Sequence, residues 1–176
     1  MNNDEATSSL VVLGLGSNMG DSSLIIANAV SILDLGIVEL RKASLYESDP
    51  LYVMDQNRFI NTVVAGYYTR TPKELLYYIC YIEARFGRDR ARERRWGERF
   101  LDIDILLFED RMINEPDLTI PHPLLKERRF ALEPLLELLP DAIDPHSGVS
   151  YRDICQVLPD QGVKKLPATS EYCPTI

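Results

Sequence analysis

Two aspartates inside an apolar segment have the residue types and the spacing to do chemistry. Asp102 and Asp104 flank Ile103 in the segment FLDIDILLF, residues 100–108. If this segment is a strand, residues two apart point to the same face, so the carboxylates lie about 6.6 Å apart on one side. Two ionised carboxylates so close repel each other and need a positive partner. Hard oxygen ligands with no nearby histidine or cysteine favour Mg²⁺, and pairing with nearby arginines is the alternative.

An arginine-rich stretch leads directly into these aspartates. Residues 85–99 (RFGRDRARERRWGER) hold seven arginines and three acidic residues, a net charge of +4 in a chain whose net charge is −8. Arginine side chains match phosphate oxygens two at a time. Because Gly87 and Gly97 flank the charges, we expect a mobile loop. Arginines for phosphates beside carboxylates for magnesium suit phosphoryl transfer, and a solvated charge run is the alternative.

An aromatic and an amide side chain mark a second candidate site. Phe59 and Asn61 lie two apart at the start of a predicted strand, after a polar loop that contains Pro50. They share a face, where the ring can stack on a flat heterocycle while the amide donates to and accepts from its edge. A core phenylalanine and a turn-capping asparagine are the structural alternative. His122, between two prolines, is either a structural or a catalytic histidine.

A glycine-rich segment precedes the first predicted helix. Gly14-Leu-Gly-Ser-Asn-Met-Gly20 has GxGxxxG spacing, whereas a dinucleotide-binding fingerprint has GxGxxG and continues into a βαβ series. We therefore expect a tight turn that requires glycine, in which Ser17 and Asn18 can line a pocket. The chain contains no Walker A sequence and no HRD or DFG motif, so it fits neither P-loop enzymes nor protein kinases.

Apolar patterning predicts the elements that position these side chains. Short apolar runs predict four strands, and helical spacing with capping signals predicts two helices. The order β-α-β-β-α-β is the ferredoxin-like arrangement of an α+β fold, an antiparallel sheet with two helices on one face, here followed by C-terminal helices. The predicted strands are residues 10–15, 37–47, 59–69 and 100–108; the helices run from Asp21 to Gly36 and from Thr71 to Gly87; a short hairpin lies around 109–114, and helical segments near 124–138 and 151–157.

Size and composition indicate one domain in a reducing compartment. The chain has 176 residues, and its net charge of −8 makes it a poor candidate for holding duplex DNA. No apolar run reaches the roughly 20 residues of a membrane helix, and the polar start MNNDEATSS does not fit a signal peptide. Three cysteines without CxxC spacing argue against disulfides and a zinc cluster. We expect a cytoplasmic protein with a flexible N-terminus (1–9), one domain (10–158) and a loosely held tail (159–176).

In this order, the motifs resemble the 6-hydroxymethyl-7,8-dihydropterin pyrophosphokinase family of folate biosynthesis. The resemblance covers roughly residues 10–158, and its arginine–tryptophan–aspartate string is the most specific part. The matching residues are Gly14-x-Gly-Ser-Asn18, Tyr46-x-Ser-x-Pro50, Asp55-Gln56, Phe59-x-Asn61, Gly87-Arg-x-Arg90, Arg95-Trp-Gly-x-Arg99-x-x-Asp102-x-Asp104, Pro121-His122 and Arg128-x-Phe130.

The resemblance implies an enzyme that transfers the β,γ-pyrophosphoryl unit of ATP to the pterin hydroxymethyl oxygen and releases AMP. It implies two Mg²⁺ ions held by Asp102 and Asp104, which are catalytic together with Arg88 and Arg99. The implied pterin-binding residues are Ser48, Asp49, Leu51, Phe59, Asn61, Trp96 and Phe130. The implied nucleotide-binding residues are Glu83, Arg88, Arg90, Arg95, Trp96, Arg99, Ile105, Thr119, His122 and Arg128. The partners are then small molecules, with neither nucleic acid nor membrane, and the protein is a monomer or weak dimer.

A nucleic-acid binder of the RNA-recognition type is the alternative from another class, because it uses the same strand order. It predicts an aromatic-rich strand and a basic sheet face. Here the fourth predicted strand carries two aspartates and the protein is acidic. Salt-sensitive RNA affinity without magnesium-dependent ATP turnover would favour this alternative.

Overall fold

The computed structural model describes residues 8–51, 53–88 and 97–167. The strands in this part of the chain are β1 Ser9–Ser17, β2 Val38–Lys42, β3 Tyr46–Ser48, β4 Phe59–Tyr68, β5 Asp102–Phe108, β6 Ile113–Glu115, β7 Leu118–Ile120 and β8 Lys164–Lys165. The α-helices are α1 Ser22–Leu33, α2 Pro72–Arg85, α3 Arg129–Leu138 and α4 Tyr151–Val157, and a 3₁₀ turn spans Leu125–Glu127. No described helix is long and apolar enough to cross a membrane.

An antiparallel sheet organises the molecule. Its strand order is β5-β1-β4-β3-β8, with β2 also paired to β4, and β6 and β7 form a separate hairpin. The first six predicted elements take the ferredoxin-like order, which confirms the predicted α+β fold. The central strand β1 brings distant residues into register, since Gly16 pairs with Asn61 on one side and with Asp102 on the other.

Helices cover both faces of this sheet. Alternate residues of β1 point to opposite faces, so Val11, Leu13 and Leu15 pack in one core with α1 and α2. Val12 packs on the other face, in a second core with the buried residues of α3 and α4. The C-terminal helices leave one end of this second face uncovered, at the end of β1 and the starts of β4 and β5.

The capping residues predicted from the sequence are found at the expected helix ends. Asp21 caps α1, its side chain accepting from the Leu24 amide at 3.1 Å. Thr71 and Glu74 form a reciprocal capping box at the start of α2, which stabilises a helix end by satisfying two orphan donors. At its other end, Gly87 has a φ of 85°, a left-handed conformation that favours glycine.

The predicted strand 37–47 is wrong as a single element, because the pairing register with β4 shifts along it. Lys42 pairs with Val64, whereas Tyr46 pairs with Asn61. One extra residue is therefore accommodated between β2 and β3. The Thr62 hydroxyl lies at this break, 3.0 Å from the Ala43 carbonyl.

Three smaller predictions also need correction. Gly14 and Gly16 belong to β1 and not to a turn, since both pair with β4 and β5; only the last glycine of the motif has a positive φ. The hairpin forms at β6 and β7, later than the predicted 109–114, and a 3₁₀ turn precedes the predicted helix at 129. The start of the tail is not loose, because β8 pairs with β3.

A single carboxylate links α3 to β3 and to the tail. Glu137 accepts hydrogen bonds from the Ser44 amide at 3.1 Å, the Ser44 hydroxyl at 2.9 Å and the Tyr46 hydroxyl at 2.8 Å. Lys165 of β8 approaches the same carboxylate at 3.1 Å. Partial burial acts to raise the pKa of Glu137, but the hydrogen bonds outweigh it and lower that pKa to about 2.

The low pKa of Glu137 predicts an acid-sensitive contribution to stability. Because the folded pKa lies below the ordinary value of 4.5, the contribution is complete above pH 4.5 and is lost as the pH falls towards 2. We expect Glu137→Gln to lower the free energy of unfolding at pH 7 by about 1–2 kcal/mol. This figure is smaller than the pKa shift alone implies, because solvent screens the interactions of a partly exposed carboxylate. Denaturant titrations should show wild type and variant converging near pH 2. A constant difference across the range, or the same behaviour in the exposed control Glu127→Gln, would contradict the assignment.

Candidate active site

The uncovered end of the sheet forms a cleft whose floor is made by glycines. Gly14 and Gly16 lie on the cleft side of β1, where a Cβ on Gly16 would stand 3.2 Å from the Asn61 Oδ1. The flanking strands therefore provide the side chains, carboxylates from β5 and an aromatic–amide pair from β4. The lining residues are Gly14, Leu15, Gly16, Ser48, Asp49, Leu51, Gln56, Phe59, Asn61, Thr62, Arg99, Asp102, Asp104, Leu106, Arg128, Phe130 and Ala131.

The two aspartates share one face of β5, as predicted. The intervening Ile103 and the following Ile105 are 3% and 5% exposed and pack in the core beneath α1 and α2. Asp102 is held by two arginines, Arg88 at 2.5 Å and Arg99 at 2.7 Å. The arginine pairing that competed with metal binding in the sequence interpretation is therefore present for Asp102.

Asp104 has weaker compensation. Among the described residues, the Arg128 guanidinium lies 3.5 Å from its carboxylate, and His122 Nε2 lies 3.7 Å away. Burial and the neighbouring Asp102 charge together raise the pKa of Asp104 to about 7. Within the described part of the chain, the ion-pair contacts of Asp104 are therefore longer than those of Asp102, and a carboxyl with a raised pKa in a cleft is a candidate functional group.

His122 faces Asp104 as a neutral donor. Burial, with the nearby Arg128 charge, lowers the pKa of His122 to about 4. Its Nδ1 accepts from the Leu124 amide at 3.2 Å, so the ring proton is on Nε2, the nitrogen that faces Asp104. His122 can therefore donate to an anion in the cleft without carrying a charge at neutral pH.

A buried glutamate anchors the start of β5. Glu83 on α2 is 1% exposed, accepts from the Ile103 amide at 2.9 Å and forms an ion pair with Arg88. Because Arg88 also contacts Asp102, Glu83 positions both the strand and the arginine.

The other half of the cleft is an aromatic and amide pocket. Phe59 and Asn61 share the cleft face of β4, as the spacing predicted, and Phe130 at the start of α3 lines the same cleft. The Asn61 amide donates to the Ser48 hydroxyl at 2.9 Å, and both residues are buried. The Arg128 guanidinium lies 5.6 Å from the centroid of the Phe130 ring. Residues 128–130 therefore contribute side chains to both halves of the cleft.

Comparisons with known proteins agree with this arrangement. The model of the 7,8-dihydro-6-hydroxymethylpterin-pyrophosphokinase (HPPK) family matches residues 12–140. The chain belongs to the HPPK family. A 2-amino-4-hydroxy-6-hydroxymethyldihydropteridine pyrophosphokinase of Methylorubrum extorquens is 38% identical over 156 residues, covering 88% of this chain and 96% of that protein. The enzyme of the same name from Aquifex aeolicus is 42% identical over 137 residues, covering 77% of this chain and 83% of that protein.

Solved structures support the HPPK fold. Wild-type Plasmodium falciparum HPPK-DHPS superposes with a TM-score of 0.71 at 16% sequence identity, covering 88% of this chain and 44% of that one. The chain therefore spans less than half the length of that protein. It also spans 21% of the folic acid synthesis protein fol1 of Pneumocystis carinii, to which it is 35% identical.

Ten of the residues implied by the HPPK resemblance line this cleft, and Arg88 and His122 contact its two aspartates from beside it. Glu83 is buried behind Arg88 and does not line the cleft. Two other implied residues lie elsewhere in the described part of the chain. The side chain of Ile105 points into the core beneath α1 and α2. Thr119 on β7 lines a neighbouring groove beside His122. The implied Arg90, Arg95 and Trp96 lie outside the described residues, together with most of the predicted mobile loop.

Asn18, which the sequence indicated as a candidate pocket residue, connects three segments of the chain. Its side-chain Oδ1 accepts from the Arg99 backbone N–H at 2.8 Å, and its backbone N–H donates to the Arg99 carbonyl at 3.2 Å. Its Nδ2 donates to the side chain of Gln56, a further cleft residue, at 3.2 Å. Asn18 thus joins the end of β1 to the segments that enter β4 and β5, and the only sequence signal for it is the Gly-Ser-Asn motif.

The unequal compensation of the aspartates predicts opposite effects on stability. A carboxyl whose folded pKa is raised destabilises the fold increasingly as the pH rises from its ordinary pKa of 3.8 to the folded pKa, and by a constant amount above it. Asp104→Asn should therefore raise the free energy of unfolding at pH 8, on the order of 1 kcal/mol after allowance for water screening. Asp102→Asn should lower it, because two arginines lose their partner. Chemical denaturation of the ligand-free proteins measures both changes in the free energy of unfolding. Changes of the same sign in the two variants would contradict the unequal compensation of the two carboxylates.

Proposed function

We propose that the cleft transfers the β,γ-pyrophosphoryl unit of ATP to the hydroxymethyl oxygen of 6-hydroxymethyl-7,8-dihydropterin, releasing AMP, as a step of tetrahydrofolate biosynthesis. The observation that carries the proposal is that a pocket for a flat heterocycle opens directly onto a carboxylate pair suited to a divalent cation. Only the glycine floor of β1 separates the two. Membership of the HPPK family supports the same reaction.

The pterin occupies the aromatic half of the cleft. Phe59 and Phe130 stack on its two faces, since aromatic side chains bind flat rings through their π surfaces. The bond from Asn61 to Ser48 fixes the asparagine amide, so its oxygen is presented to a ring N–H at low conformational cost. Asp49 and Leu51 border the same half of the cleft.

Magnesium fits the carboxylate half. No group of three or more histidine, cysteine, aspartate or glutamate side chains in the described ranges is arranged to hold a metal. Mg²⁺ would not need one, because one or two carboxylates together with substrate phosphates and water can hold it. Burial and the neighbouring Asp102 charge raise the pKa of Asp104, and a bound cation would stabilise its ionised form. We infer that Asp102 and Asp104 would hold two Mg²⁺ ions, which would supply positive charge to the triphosphate.

The chain's own residues then bind and orient the triphosphate. Arg99 and Arg128 line the cleft and supply fixed positive charge where charge develops during transfer. His122 donates from Nε2 to a phosphate oxygen. The pterin hydroxymethyl oxygen forms a bond to the β-phosphorus while the bond from that phosphorus to the α,β-bridging oxygen breaks; AMP leaves with that oxygen, and the hydroxyl proton passes to water.

The alternative of an RNA-recognition domain is not supported. The cleft face of β5 carries two aspartates where RNA would need positive charge, and the chain belongs to an enzyme family. We further propose a single domain that acts in the cytoplasm as a monomer or weak dimer. Cys80 and Cys155 are both free thiols, which suits a reducing compartment.

The products of turnover test the proposed reaction. With ATP, Mg²⁺ and 6-hydroxymethyl-7,8-dihydropterin, the protein should form AMP and the pterin diphosphate, and chromatography separates these from ADP. Asp104→Asn should reduce turnover by several orders of magnitude, because each cation contributes several kcal/mol to transition-state stabilisation. Formation of ADP, or near-normal turnover by Asp104→Asn, would overturn the proposal.

The glycine floor predicts a steric test of the pterin pocket. Gly16→Ala places a methyl group 3.2 Å from the Asn61 Oδ1, so the fixed amide must shift. We expect roughly tenfold weaker pterin binding in calorimetric titrations without nucleotide. In the matched control Gly14→Ala the nearest atoms belong to the Leu106 side chain, at 3.3 Å, and we expect a smaller effect because that side chain can move. Equal losses in the two variants would argue against a pterin beside Asn61.

A further inference from the structure

The helix that carries Phe130 begins without a cap of its own. The first N–H groups of a helix have no partner inside it, and a nearby serine, threonine, aspartate or asparagine side chain usually accepts from one of them. At the start of α3 the N-cap residue is Arg128, and no side chain of the N-cap position makes this bond. Arg128 instead faces the cleft, next to Phe130.

Gln161, far along the chain, provides the missing partner. Its Oε1 accepts from the Arg129 amide at 2.9 Å, and its Nε2 donates to the Glu127 carbonyl at 2.8 Å. One side-chain amide therefore binds the main chain on both sides of Arg128. Gln161 lies beyond residue 140, where the family match ends.

The segment that carries Gln161 is itself fixed. Before it, the Leu158 carbonyl accepts from the Arg129 guanidinium at 2.8 Å; after it, β8 pairs with β3 and the Leu166 amide donates to the Leu45 carbonyl at 2.8 Å. Gly162 has a φ of 65°, and a Cβ there would collide with the carboxylate of Asp49, a cleft residue. The segment thus connects both sides of the pterin pocket.

We propose that Gln161 is a positioning residue of the pterin pocket: it caps α3 from outside the family-matched segment and so fixes Phe130 and Arg128. The inference rests on the proposed function for the identity of the ligand. Without the cap, the first turn of α3 is intact for a smaller fraction of the time, and the apparent dissociation constant of the pterin rises by the inverse of that fraction.

Kinetics and hydrogen exchange of Gln161→Ala test this role, with the exposed Gln156→Ala on α4 as the matched control. The loss of one helix cap corresponds to a rise of roughly fivefold in the KM for the pterin, with kcat at saturating pterin nearly unchanged. The amides of residues 129–132 should exchange faster in Gln161→Ala only. Gln161→Glu keeps an acceptor at the helix start, where negative charge is favourable, but loses the donor to the Glu127 carbonyl, so it should restore part of the protection.

The outcomes separate the two claims. An unchanged pterin KM and unchanged exchange in Gln161→Ala, beside an active wild type, would overturn the positioning role alone. Equal effects in Gln156→Ala would do the same, as would a fall in kcat with no change in KM. If the wild type does not make AMP, the proposed reaction fails, and exchange at residues 129–132 still decides whether Gln161 caps α3.

Discussion

Two carboxylates lie on one strand face, carry like charge and are partly shielded from water. The surrounding groups must therefore supply compensating positive charge. Among the described residues, Asp102 is compensated by two arginines, whereas the contacts of Asp104 to Arg128 and to a neutral histidine are longer. The unfavourable energy of this pair is tolerated because packing elsewhere fixes the strand. Glu83, buried in α2, contributes by binding the amide between the two aspartates.

The topology explains how two different ligands meet at one point. β1 lies between β4 and β5, so a residue on β1 has an amide from one neighbour and a carboxylate from the other beside it. Because β1 has glycine at positions 14 and 16, these neighbours border an open floor. The aromatic half and the carboxylate half of the cleft then adjoin without a loop between them, which would place a bound heterocycle next to the phosphates of a second substrate.

The sequence predicted the features that depend on local spacing. The shared face of Asp102 and Asp104, that of Phe59 and Asn61, and the caps at Asp21 and Thr71 each follow from periodicity or from neighbours along the chain. The ferredoxin-like order followed from the sequence of these elements. The family resemblance then connected them to a reaction, although the structure places Ile105 in the core.

What the sequence did not predict depends on contacts between distant residues. The division of 37–47 into two strands follows from its register with β4, and the cap at α3 comes from a side chain 32 residues away. Neither leaves a local pattern. The polar tail was predicted to be loose because polar composition alone does not reveal a single glutamine that binds the main chain.

The central claim is that Asp102 and Asp104 bind Mg²⁺ together with the nucleotide. The dependence of nucleotide binding on magnesium tests this claim most directly. A non-hydrolysable ATP analogue can be titrated calorimetrically into the wild type and Asp104→Asn, with Mg²⁺ and with a chelator. The wild type should bind tightly only with Mg²⁺, because the triphosphate otherwise meets two carboxylates of its own sign, and Asp104→Asn should lose most of this dependence. Equally tight binding by the wild type in chelator would contradict the claim.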